Sequence, residues 1–382
     1  MTILFVTHYM ELYGANRSML ALIRQLHLKY AITPIVVVPH SDGPLLDSLK
    51  EFNIQYYVMP YSWWILTYLE PMPSERRCVR LQLKNIKYAF ELKRLLRKQN
   101  IDMVYTNSVT IDFGVFLAFA LRVPHMWHFR ESIQQFGLRP TLPSILTKMI
   151  LHLHINKCFI LISDFMVREY EDILPSRKVK RIYNGVSLPP ECKIRPSNKI
   201  KDILHIACVG QLSTHKNQNE LLKALAILKE RQLSVHVHFV GLSAPDYIDE
   251  MSEFIEKHDL SNMVTIHGHT NNVFSILETC NLGVVTAKNE AFGRVTIEYM
   301  LMRMPVIVAD SGANPELIDN GVTGMIYHLG NVVELADVIQ VYIKNPALLE
   351  EQGEKAYEKA VEEFSAEKNA DSIYAEMLGF VK

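Results

Sequence analysis

The chain has 382 residues, more than one ordinary hydrophobic core accommodates and a comfortable length for two domains. Apolar residues make up 49% and charged residues 21%, an ordinary globular composition without repeats or low-complexity tracts. Its 40 basic and 41 acidic side chains leave no net field for nucleic acid, so a charged partner must be met by a local patch.

The first residues, MTILFV, lack a basic flank, and the apolar run stops at Val6, which reads as a core strand rather than a signal peptide. In chain order, ILFV (3–6), PIVVV (34–38), IQYYVM (54–59), MVYT (103–106) and CFILI (158–162) read as strands, with helical periodicity at 16–30 and 84–98. Runs this apolar are buried on both faces, which predicts a parallel sheet covered by helices. FGVFLAFAL (113–121) is far too short to span a bilayer. The cysteines Cys78, Cys158, Cys192, Cys208 and Cys280 form no Cys-x-x-Cys pair, so reduced thiols are expected.

The same grammar restarts with LHIACVG (204–210), VHVHFVG (235–241), MVTIHG (263–268), LGVVT (282–286) and PVIVAD (305–310). Between the halves, residues 183–199 carry Asn-Gly and Pro-Pro turn signals and no periodicity. The expected fold class is α/β, with two Rossmann-like, doubly wound domains facing across a cleft. The expected boundaries are a first domain at 1–188, a linker at 189–200, a second domain at 201–362, and a last helix at 363–382 that packs on either domain.

Chemistry-bearing residues gather where strands end. Gly14, in HYMELYGANRS, lies between the first strand and its helix, either a plain turn glycine or a point of close backbone approach to a ligand. VPHMWHFRES (123–132) ends a strand at His128, at the carboxyl end where ligand sites of such sheets collect. Arg130 and Glu131 follow, read equally as a local ion pair or as groups lining a ligand. In HIACVGQLSTHKNQNELL a glycine turn carries Gln211, and Lys216 stands just before a helix. The most informative run is NEAFGRVTIEYMLMRMPVIVADSGANPELIDNGVTG. Its Phe292-Gly293-Arg294 turn opens a helix whose first N–H groups, from Gly293, Arg294 and Val295, suit a phosphate. Glu290 precedes that turn and Glu298 lies about two turns into the helix, so the carboxylates reach different parts of one elongated ligand.

This run resembles the E-x7-E signature of glycosyltransferase family 4, a retaining family with the GT-B fold. The matching motifs follow one another in the family's order from Gly14 to Gly324. The resemblance implies Glu290 at the donor sugar near the reacting carbon, Glu298 on the ribose hydroxyls, and the backbone after Phe292 on sugar and diphosphate. It further implies His128 near the donor sugar and Lys216 on the diphosphate, where positive charge meets negative charge growing in the transition state. The family's arginine in the same turn is here Gln211, which donates hydrogen bonds without charge; the second glycine of its first loop is Ala15, and Ser187 replaces the aspartate of Asn-Gly-Val-Asp.

The implied reaction moves a sugar from a nucleoside diphosphate to an acceptor hydroxyl with retention, the departing diphosphate oxygen helping to take the proton. The donor is a substrate, and no cofactor or metal is implied. The implied acceptor is a saccharide or lipid-linked saccharide of cell-surface polysaccharide synthesis. Two rivals share the fold: a sugar-nucleotide epimerase, which lacks the Phe-Gly turn between these glutamates, and a non-catalytic nucleotide-sugar-binding module, which Gln211 would suit.

His152/His154, His236/His238 and His267/His269 each have the spacing that sets two rings on one face of a strand, but no further ligand is suitably placed, so no metal is expected. His267 and His269 are expected to line the donor-base pocket instead. Residues 62–98 combine Trp63, Trp64, Ile65 and Leu66 with a helix bearing Arg80, Lys84, Lys87, Arg94 and Lys98 on one stripe. Such a segment is expected to touch an anionic membrane, placing the chain in the cytoplasm, peripheral to the inner face.

Overall fold

The computed structural model describes residues 1–67, 70–189, 192–194, 202–270 and 272–381; most of the expected linker, two residues of the 62–98 segment and the final lysine lie outside the described residues. The chain divides into two compact units, Met1–Gly185 with Ala366–Lys382, and Val186–Ser365.

The first unit holds a parallel sheet of β1 (Thr2–Val6), β2 (Thr33–Val38), β3 (Gln55–Val58), β4 (Met103–Thr106), β5 (His125–Phe129), β6 (Asn156–Leu161) and β7 (Val179–Arg181), in the order β3-β2-β1-β4-β5-β6-β7. β1 is apolar at every core position because it feeds two cores. Ile3 and Phe5 enter one with Met19 and Leu22, while Leu4 and Val6 enter the other with Ile35, Val37 and Val104. The last helix, Ala366–Leu378, belongs to this unit and packs on the helix Gly14–Tyr30. There Tyr374 stacks on Tyr30 at 3.7 Å and Lys29 pairs with Glu367 at 2.8 Å. A Cβ on Gly185 would lie 2.6 Å from Ala366 Cα, so only glycine admits the returning chain.

The second unit holds β8 (Leu204–Val209), β9 (Val235–Val240), β10 (Val264–Ile266), β11 (Leu282–Val285), β12 (Val306–Ala309) and β13 (Gly324–Tyr327), again all parallel, in the order β10-β9-β8-β11-β12-β13. In both sheets the order reverses between the first and fourth strands. Loops leaving those two strands diverge to opposite faces, and the gap at their carboxyl ends is where ligands of doubly wound sheets bind.

Two details of the 62–98 segment are corrected. Trp64 and Ile65 are buried: the Trp64 indole donates to Val109 O at 2.8 Å and stacks on Trp127, so they offer nothing to a membrane. The helix Glu75–Leu95 buries Cys78, Gln82, Asn85, Ala89 and Leu92, leaving Val79, Leu83, Phe90 and Leu95 exposed among its basic residues. Asn85 is spent inward, donating to Ser62 O at 3.0 Å and to Asp112 Oδ1 at 2.9 Å. Among the described residues no helix is long and apolar enough to cross a membrane.

Candidate active site

In the second unit, β8 ends at a tight crossing. A Cβ on Gly241 would stand 1.9 Å from Gly210 O, so the chain after β9 passes directly over the loop after β8. That loop is closed on itself by Gln218, whose side chain donates to Gln211 O at 3.0 Å and accepts from Ser213 N at 3.2 Å. Asn217, in the left-handed conformation at φ 57°, turns the chain into the helix Gln218–Glu230.

The loop after β11 is stitched to it. Thr286 donates its hydroxyl to Lys216 O at 2.8 Å, and Lys288 N donates to His215 O at 2.9 Å. The consequence is a direct ion pair between the Lys216 ammonium and Glu290 Oε2, both side chains largely shielded from water. The Glu290 peptide is fixed from behind: Ala313 N donates to its carbonyl at 2.8 Å, and a Cβ on Gly312 would meet its nitrogen at 2.3 Å. So two residues 74 positions apart in sequence meet at the point where the strand order reverses.

Phe292 is buried, its ring 6.2 Å from that of Phe364, so it can meet a ligand only through its backbone. Gly293, at φ 88°, caps the helix Arg294–Leu301. Beside it the buried Thr296 Oγ1 and Asn314 Oδ1 have no hydrogen-bond partner among the described residues. Within the helix, Arg294 Nε donates to Glu298 Oε1 at 3.0 Å, four residues on. Gln211 is exposed, and Val295 half-buried. A cavity of about 370 Å³ opens beside the ends of β8, β9 and β10, walled by Leu212, Leu242, Ile248, Ile266, His267 and His269. That volume suits a small ligand.

In the first unit, His128 is fully buried on β5, its Nδ1 against the Tyr105 hydroxyl and its Nε2 without a partner among the described residues. Burial, helped by the Arg130 guanidinium, holds its pKa well below the ordinary value, so the ring is neutral. His125 is different: Asn156 Oδ1 and Thr106 Oγ1 engage both its nitrogens at 2.7 Å, which makes it structural. Arg130 donates to Asn107 Oδ1 at 3.0 Å and to Asn184 Oδ1; Glu131 accepts from Val109 N at 3.0 Å and lies 3.6 Å from His8 Nε2. Gly14 starts its helix with a negative φ and open space around its missing Cβ, so nothing internal demands glycine there.

Sequence reasoning missed Asn16, which is fully buried and ties the loop after β1 by donating to Tyr9 O and Glu11 O, each at 2.9 Å. It also missed His8 and Asn107, which end β1 and β4 beside Arg130. The signal available was position alone: each follows a strand on either side of the order reversal.

Residues 12–188 match a family model described as Glycosyltransferase Family 4, and residues 191–359 match Glycosyl transferases group 1. The human alpha-1,3/1,6-mannosyltransferase ALG2 is 28% identical over 179 residues, 44% of this chain and 43% of that protein. The capsular polysaccharide biosynthesis glycosyltransferase CapM of Staphylococcus aureus is 26% identical over 180 residues, 45% of this chain and 47% of that protein. The chain thus spans about half the length of the curated relatives it matches. The crystal structure of Anabaena HepE in complex with UDP shares the fold with a TM-score of 0.79, covering 99% of this chain and 100% of that one at 22% identity.

Proposed function

The chain belongs to glycosyltransferase family 4, retaining enzymes of the GT-B fold, and on that premise we propose that it transfers a sugar from a uridine diphosphate sugar to an acceptor hydroxyl. The observation that carries this is the Lys216–Glu290 pair at the strand-order reversal of the second sheet. An ammonium paired with a carboxylate, on a loop held by two backbone stitches, suits a diphosphate.

The donor diphosphate takes the Lys216 ammonium and the N–H groups of the helix start at Gly293, Arg294 and Val295. Both are fixed before reaction, so they stabilise the charge that grows as the sugar leaves without reorganising. Glu290, freed of part of its pairing, turns to the sugar. Glu298 takes the ribose hydroxyls, held in place by Arg294. Gln211 adds hydrogen bonds but no charge, which leaves Lys216 as the main cation for the leaving group. His128 is assigned to the sugar as a neutral donor through Nε2, and Gly14 to a close backbone approach. The cavity walled by His267 and His269 takes the uracil. Because the leaving oxygen accepts the acceptor's proton on the attacked face, no separate protein base is required.

The acceptor we propose is a saccharide or lipid-linked saccharide of surface polysaccharide synthesis, reached at the inner face of a membrane. Arg80, Lys84, Lys87 and Arg94 stand exposed on one helix with Val79, Leu83, Phe90 and Leu95, a pairing of charge and apolar area that suits an anionic lipid surface. The test of the reaction is nucleotide release from a panel of nucleoside diphosphate sugars. Release from one member, strongly reduced in Glu290→Gln and in Lys216→Met, supports the assignment; release undiminished in Glu290→Gln overturns it.

A further inference from the structure

Four imidazoles share one face of the second sheet. His205 on β8 and His236 and His238 on β9 point away from the core entered by Leu204, Ile206, Val235 and Val237, because alternate residues of a strand face opposite sides. His267 follows β10, its backbone N–H donating to Phe239 O at 2.9 Å. His205 Nδ1 lies 3.0 Å from His238 Nε2, and His238 Nδ1 lies 3.0 Å from His267 Nε2. The three rings stack at centroid spacings of 5.3 Å. His236 stands beside them, 4.9 Å from His238, with its Nε2 at 2.8 Å from Thr265 Oγ1 and its Nδ1 facing Asn262 O. The far end of this ladder, His267, is part of the wall of the 370 Å³ cavity.

A neutral imidazole has one N–H and one acceptor nitrogen. Each contact therefore uses one N–H, and the central ring must donate to one neighbour and accept from the other. The tautomers of the three rings are locked together in one direction or reversed together. The ladder can hold one excess proton, since each contact still contains a single N–H. A second sets N–H against N–H at one contact and breaks it. Burial, then the charges of His236, His205 and His267, push His238 down to about 4, and burial followed by His236 lowers His205 and His267. Among the described residues, the charges that lower these three rings are those of one another and of His236. Nor, among the described residues, does any group of three or more His, Cys, Asp or Glu side chains have the arrangement of a metal site, so the contacts are hydrogen bonds.

We propose that His205 and His238 are positioning residues for the donor's base: the neutral ladder fixes the His267 ring in the cavity wall, and acid releases it. This role presupposes the uracil pocket proposed above. The test is calorimetric titration of UDP-glucose, whose diphosphate diester does not titrate in the range, into the full chain between about pH 4.5 and pH 8. Wild-type affinity is expected to hold above about pH 6 and to fall roughly tenfold by pH 4.5. His238→Leu is expected to bind as weakly at neutral pH as wild type does in acid, with a flat profile. His238→Gln, which can donate to one ring and accept from the other but does not titrate, is expected to restore neutral affinity and keep it in acid. A His238→Gln profile that falls in acid like wild type would overturn the proposal, as would His238→Leu with wild-type affinity; the first holds even if His238→Leu does not fold. Failure of the wild type to bind UDP-glucose at any pH would instead remove the donor site, and the ladder's role with it.

Discussion

Lys216 and Glu290 neutralise each other at a place where a diphosphate would compete for the same ammonium. Replacing Glu290 by Gln keeps the shape and removes the charge, so donor turnover should fall by about 100-fold while the fold persists, checked by nucleotide release and a thermal melt. Glu298→Ala should act chiefly on the donor KM, because its proposed partner is the ribose rather than the reacting centre. Asp112 makes a separate prediction. Burial pushes its carboxyl up to about 7, against the hydrogen bond from Asn85, which lowers it. The folded chain therefore keeps a proton that the unfolded chain has released from about pH 4 upward, and stability from this group declines as pH rises toward 7. Asp112→Asn keeps the acceptor for Asn85 and removes the charge; it should raise Tm by roughly 5 °C at pH 8 and leave it unchanged near pH 4. Glu290 and Lys216 stood out in sequence because they lie beside glycine turns and helix starts in motifs that resemble those of the family. Asn16, Tyr105 and Asn184 were not, since a buried polar residue reveals its partner only once distant strands lie side by side.

Among the elements, strands paired on both sides were the most legible. The run at 103–106 and β4 coincide, and β8, β9, β11 and β12 lie inside the apolar runs that announced them. The edge strands β7 and β13 were missed: Val179–Arg181 carries two basic residues, and Gly324–Tyr327 begins at a glycine inside a loop motif. A strand paired on one side only has less need of apolar residues. The helix Glu75–Leu95 misled for a related reason. Its buried stripe includes Gln82 and Asn85, satisfied inward in the case of Asn85, while large apolar residues stay outside. At the level of loops, Gly312 is the glycine that bears most directly on Glu290, since a Cβ there would meet Glu290 N at 2.3 Å. Gly312→Ala should displace the Glu290 peptide, destabilise by about 1–3 kcal/mol and lower donor turnover together, measurable by denaturant melts beside nucleotide release.

For the whole molecule, the sequence pattern was sufficient for the α/β class and the two parallel sheets, because strand and helix periods alternate without interruption. The helix bearing Arg80, Lys84, Lys87 and Arg94 predicts co-flotation with phosphatidylglycerol vesicles that is lost at high salt and in a variant with those four residues changed to Glu. Flotation unaffected by the four changes would remove that surface from the account. The most direct test of the central claim is incubation of the chain with UDP-, GDP- and ADP-sugars, following nucleoside diphosphate release by phosphorus NMR. Release of UDP from a UDP-sugar, reduced about 100-fold in Glu290→Gln and strongly in Lys216→Met, is the predicted result. Release indifferent to both substitutions, or no binding or release with any member of the panel, would contradict it.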